Sequence, residues 1–149
     1  MTIEYNGKSY EAHDLLMKKK FALDIIEGRK TVEVRSFTDH YISRFLDKDV
    51  MKRNEKLKRK MDAPDWENEF KDIWCIHFHD YNNSWYLDVA IETVGMCIVD
   101  SQDIERLMAE YPGFSDLLED AKKNDALPNN ERPMIFYFVI DKVLATNLK

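Results

Sequence analysis

Two runs of alternating residues constrain the fold more than anything else in this chain. Trp74, Ile76 and Phe78 alternate with Cys75, His77 and His79. After Asp80-Tyr81-Asn82-Asn83-Ser84, Trp85, Leu87, Val89 and Ile91 alternate with Tyr86, Asp88, Ala90 and Glu92. Period-two alternation puts one set of side chains on each face of a strand, so Ile73 to His79 and Trp85 to Val94 read as strands joined by a turn-rich loop. Met134 to Leu144 predicts a strong final strand, and Met96 to Val99 a short separate one after Gly95. Near the start, Ile3 to Tyr10 encloses Asn6-Gly7, the strongest short hairpin signal. Leu15 and Met17 suit a short strand.

Helical spacing fills the gaps. Phe21, Ile25 and Ile26 predict a helix from about Lys19, with Gly28 as a left-handed cap. Residues 41–61 predict a second helix, with one more turn from Asp65 through Phe70. A third begins near Ser101 with Asp100 as N-cap, and Ser115 is placed to cap a fourth. Residues 124–133 read as a polar loop. Strands at both ends and in the middle, with helices between, predict an α+β fold: a mostly antiparallel sheet curled into a small barrel with flanking helices.

The chain has 149 residues, room for one compact domain, and no linker or repeat divides it. A formal net charge of -6 disfavours indiscriminate binding to long duplexes, where phosphate neutralisation supplies most of the affinity. No apolar run is long enough to cross a membrane, and Glu4, Asn6 and Lys8 interrupt any signal-peptide pattern. Cys75 and Cys97 lack metal spacing and read as buried thiols, so the expectation is a cytoplasmic protein.

The chemistry concentrates in Gly28-Arg29-Lys30-Thr31-Val32-Glu33-Val34-Arg35. Val32 and Val34 alternate with Thr31, Glu33 and Arg35, giving a strand with one apolar and one polar face. Lys30, Glu33 and Arg35 then bring two cations and a carboxylate together. Arg35 offers a planar fork for a phosphate or base edge, and Lys30 a point charge. Glu33 can accept from an exocyclic amine or position a water as a general base. A plain salt-bridge network is the structural alternative, and the two are compatible.

Gly28, Lys30, Glu33 and Arg35 fill every fixed position of G-x-K-x-x-E-x-R, the hallmark of the ASCH family, and His13-Asp14-Leu15 followed by a helix with Phe21 and Ile25 fits its approach. The chain resembles the small bacterial and phage-type members. The resemblance implies a PUA-like curled barrel with helices beside a cleft, and RNA or a modified nucleotide as ligand, held by Gly28, Lys30, Thr31, Glu33 and Arg35. Some relatives are hydrolases, acting on N4-acetylcytidine through a lysine, a threonine and a glutamate, or on RNA. In an enzyme of that kind Lys30, Glu33 and Glu110 are the candidates for catalysis. Here, however, Glu33 stands at the position of the threonine nucleophile, which weighs against the amidohydrolase branch. Relatives also pass from the arginine to the next strand by a short link, whereas here a charged segment of about 36–71 intervenes and reads as a helical insertion.

Three further features carry expectations. Lys52, Arg53, Lys56, Arg59 and Lys60 form a basic block that suits either a nucleic-acid backbone or a solvated helix end, and the same segment is the candidate dock for a protein partner. Tyr81, in the hairpin loop, is the best candidate for stacking on an unpaired base, ahead of Trp85 and Tyr86. His77 and His79 share a strand face with Cys75, with Asp88 or Glu92 across the hairpin; without further ligand spacing they read as ordinary strand residues, and no metal or cofactor is expected. No phosphate loop, nucleophile elbow or dinucleotide fingerprint occurs.

Overall fold

The structure, a computed structural model, describes residues 1–60 and 67–148, with the backbone alone at 58–60. The architecture is α+β, built on a curled five-stranded half-barrel. Its strands are β3 (His13–Leu16), β4 (Val32–Ser36), β5 (Cys75–His79), β6 (Tyr86–Ile98) and β7 (Met134–Thr146), in the order β3-β5-β6-β7-β4. Every pairing is antiparallel except β3 with β5. A separate hairpin of β1 (Thr2–Tyr5) and β2 (Lys8–Glu11) turns at Asn6 and Gly7, both with positive φ, as the Asn-Gly signal requires.

Both faces of the sheet are covered. Leu15, Ile76, Phe78, Leu87, Val89, Phe136 and Phe138 point to one side, where α1 (Lys19–Ile26), α2 (Asp39–Phe45) and α3 (Lys48–Lys60) add Ala22, Ile25, Phe45 and Met51. On the other side Val32, Cys97 and Val139 pack against Ile104 and Leu107 of α4 (Ser101–Met108), Phe114 of a 3-10 turn (Pro112–Leu117), and Ala121 of α5 (Leu118–Asn124). The β1–β2 hairpin covers Cys75 on that side with Ile3 and Ala12.

Several expectations need correction. The helix expected over 41–61 is two helices, because Asp47 turns its carboxylate onto the N–H groups of Asp49 and Val50 and starts α3 afresh. Residues 67–69 have no regular structure and Phe70 forms an isolated antiparallel bridge with Leu46, so no helical turn forms there, and residues 61–66 lie outside the described residues. The strand expected at 96–99 is the continuation of β6, which passes through register shifts near Asp88 to Thr93 and runs on through Gly95. Ser115 caps nothing; a 3-10 turn carries the chain into α5. Residues 129–131 form a further short 3-10 turn inside the expected loop. Asp100 does cap α4, accepting from the Asp103 N–H at 2.9 Å.

Segment 36–71 folds back on itself. Its last residues return to its middle, with Lys71 N–H donating to Phe45 O (2.8 Å) and Asp47 N–H to Glu69 O (2.7 Å). Fully buried Asn54 clamps α3 to the returning segment, donating to Glu67 O and Glu69 and accepting from the Glu67 N–H.

Candidate functional site

β3 and β4 are the two end strands of the half-barrel, so their outer edges carry backbone groups that no neighbouring strand satisfies. The candidate site fills that seam. Glu33 and Arg35 lie opposite Phe138 and Phe136 of β7 and so point to the α1–α3 side, while Val32 and Val34 join the opposite core. Glu33 takes the Val34 N–H at 3.1 Å on the free edge of β4. Arg35 crosses the seam to the Leu16 carbonyl of β3 at 2.8 Å, and Arg44 of α2 reaches the Asp14 carbonyl.

The three motif side chains meet as expected. Lys30 Nζ lies 3.2 Å from Glu33 Oε1, and Arg35 Nη2 lies 2.9 Å from Glu33 Oε2. Lys30 gets there because α1 ends on Gly28, whose φ of +79° turns the chain while Arg29 and Lys30 both donate N–H groups to Asp24 O. Arg35 also donates to the Tyr41 hydroxyl at 3.2 Å. Tyr41 in turn stacks on Phe45 with ring centroids 5.5 Å apart, and Phe45 meets Phe136 and Phe138 edge-on. The guanidinium is thus braced from the core outward, with its Nε buried and without a hydrogen-bond partner among the described residues.

Lys30, Glu33, Arg35 and Tyr41 line a cavity of about 390 Å³ together with Leu16, Met17, Lys18, Phe21, Val34 and Ser36. Its walls carry three cations against one carboxylate. Leu16 and Phe21 supply exposed apolar surface, and Lys30 lies over the Phe21 ring at 5.1 Å. A cavity with one apolar flank and a cationic floor suits a compact ligand that is flat on one side and anionic on the other.

The other described residues named as candidates from the sequence lie outside this cavity. Gly28 shapes the turn without lining the cavity. Thr31 faces away, its Oγ1 against Gly113, and its carbonyl accepts from the Ile140 N–H. Glu110 lies exposed at the end of α4, beside Tyr111, on the other side of the sheet. Tyr81 is 88 % exposed at the β5–β6 tip and outside the cavity. In the basic block, Arg53 is committed to Glu67 at 2.6 Å, Lys52 and Lys56 are exposed away from the cavity, and the side chains of Arg59 and Lys60 lie outside the described residues. Trp85 is core, and Tyr86 stacks on His77. Lys18, Phe21 and Tyr41 are among the lining residues that sequence reasoning missed.

No family model and no curated protein matches the chain. Among solved structures it is similar to the ASCH protein ZmASCH from Zymomonas mobilis, crystallised as a mutant: the match is 13% identical, covers 89% of this chain and 70% of that one, and has a TM-score of 0.43.

Proposed function

We propose that this chain binds single-stranded RNA or a modified nucleotide in the seam cavity, with Lys18, Lys30 and Arg35 meeting the anionic part of the ligand and Phe21 its flat part. The observation that carries this reading is Arg35: a guanidinium held in place by three neighbours, Glu33, Tyr41 and the Leu16 carbonyl, in a cavity wall, with Nε left without a partner among the described residues. A braced fork loses little freedom on meeting a phosphate or a base edge. The G-x-K-x-x-E-x-R resemblance supports the same ligand class.

The hydrolytic alternative gains nothing from this geometry. Both oxygens of Glu33 are engaged, one by Lys30 and the Val34 N–H and the other by Arg35, which leaves a poor general base. Thr31 and Glu110 stand outside the cavity. The interaction-module reading gains no docking contact at α3, where Arg53 is already paired.

Fluorescence anisotropy with short single-stranded RNAs, and calorimetry with modified nucleosides, test the proposal. The wild type is expected to bind at micromolar concentration or tighter. Lys30→Gln is expected to weaken binding at least tenfold, and Lys18→Gln several-fold, with thermal unfolding little changed in the latter. No binding by a folded wild type, or full affinity in both lysine variants, overturns it.

A further inference from the structure

The outer face of the β5–β6 hairpin holds a second cluster, independent of the seam cavity. His77 Nδ1 lies 2.5 Å from Asp88 Oδ1, across the register pair His77–Asp88. His79 Nδ1 lies 2.8 Å from the Asp80 carbonyl. A carbonyl oxygen only accepts, so His79 Nδ1 carries the proton; a carboxylate likewise fixes the proton of His77 on Nδ1. In their neutral forms both imidazoles therefore present Nε2 as a free lone pair. Neither Nε2 has a hydrogen-bond partner among the described residues, and neither is sealed from solvent.

The two rings are neighbours, with centroids 5.4 Å apart and planes 33° apart. Two imidazoles sharing one tetrahedral ion at Zn–N distances of about 2.0–2.1 Å keep their centroids roughly 5 Å apart. A ligating histidine almost always donates its other ring N–H to a carboxylate or a carbonyl, which is the arrangement that Asp88 and Asp80 supply. Asp88 is 4 % exposed and Tyr86 stacks on His77 at 5.7 Å, so the first ring is fixed on two sides. The need to satisfy the buried Asp88 accounts for His77 alone. It does not account for a second imidazole beside it in the same tautomer.

We propose that His77 and His79 form a binding site for an imidazole-seeking divalent transition ion, with Zn²⁺ as the probe, in which Asp88 acts as a positioning residue. No third His, Cys or carboxylate completes the set among the described residues, so the remaining positions belong to water or to a ligand brought from outside. The site is thus an open, exchangeable one rather than a closed structural centre. Nitrogen donors favour ions of the zinc, nickel and copper group over magnesium and calcium.

Calorimetric titration of the full chain with Zn²⁺ at pH 7.5 tests this. One ion per chain is expected. His77→Gln and His79→Gln should each weaken binding at least tenfold, and Asp88→Asn about tenfold or more. His13→Gln and His40→Gln, at histidines elsewhere in the chain, should leave it unchanged. His79→Gln is the decisive variant, because its ring bonds only the adjacent carbonyl and its loss leaves the fold intact by thermal unfolding without metal. In NMR spectra, Zn²⁺ should shift the ring protons of His77 and His79 selectively. No heat of binding at 100-fold excess of metal, Mg²⁺ binding as well as Zn²⁺, or a His77→Gln/His79→Gln protein that binds like the wild type overturns the proposal.

Discussion

Glu33 neutralises two cations at once, and each of the three side chains is largely shielded from water, with exposures of 8 % for Glu33, 19 % for Lys30 and 14 % for Arg35. Removing the carboxylate leaves two like charges facing each other and frees the edge amide of Val34. Glu33→Ala is therefore expected to destabilise the protein by about 2–4 kcal/mol, toward the lower part of the range for breaking a buried pair because the lysine keeps some solvent. The shift of the urea midpoint at constant m-value measures it. Cys97 makes a different prediction. Burial pushes its thiol from 9.0 up to about 12. Between these values the unfolded chain releases a proton that the folded chain keeps, so the stabilisation is complete below about pH 9 and is lost as pH rises toward 12. Thermal unfolding between pH 8 and 11 should fall more steeply for the wild type than for Cys97→Ala, and native Cys97 should resist thiol reagents at pH 8. Glu33 and Arg35 were legible because alternation puts them on one face of β4, whereas Lys30 has the other parity and was legible from the motif, reaching Glu33 through the turn at Gly28. Lys18 left a signal too: Lys18, Lys19 and Lys20 open α1, where the helix dipole disfavours cations and the first turn has no acid.

At the scale of elements, alternation exposed the strands but not their continuity. Gly95 reads as a break in β6, yet the strand runs through it. The reason lies on the next strand: a Cβ at position 95 would come within 2.3 Å of the Tyr137 hydroxyl and 2.4 Å of its ring. Gly95 makes room for a ring opposite it in the register. Gly95→Ala should cost about 1–3 kcal/mol through forced displacement of that ring, and Tyr137→Leu in the same chain should recover part of the loss. A double-mutant cycle in urea gives the coupling. The split between α2 and α3 was legible in principle. Asp47 before Lys48-Asp49-Val50 is an N-cap signal, but a fading apolar stripe across Ile42, Phe45, Leu46 and Val50 masks it. Tyr41 could not be assigned to the site from spacing, because its place depends on α2 docking through Phe45 against β7.

Across the whole molecule, charge is sorted. Residues 18–35 carry six cations and three anions, whereas residues 100–131 carry nine acids and three bases. The second group belongs to the α4–α5 side of the sheet and the cavity to the other. A net charge of -6 therefore coexists with a local cationic cavity, and the acidic side repels any polyanion that overruns it. Binding of single-stranded RNA should be limited to a few phosphates. With Lys18, Lys30 and Arg35 as the contacts, the logarithm of affinity against that of salt should fall with a slope of about -2. Anisotropy titrations from 50 to 300 mM KCl measure it, and a much steeper slope would mean that other surfaces, α3 among them, track the backbone.

The seam between β3 and β4 is fastened by side chains, whereas every other strand boundary is a ladder. A ladder parts cooperatively, but separate fastenings open one at a time. Opening along this line would leave each of the paired strands with its partner. On the reading that this cavity takes a ligand, its resting volume would be a floor rather than a ceiling, and a larger ligand would enter by exchanging its own acceptor for the Leu16 carbonyl on Arg35.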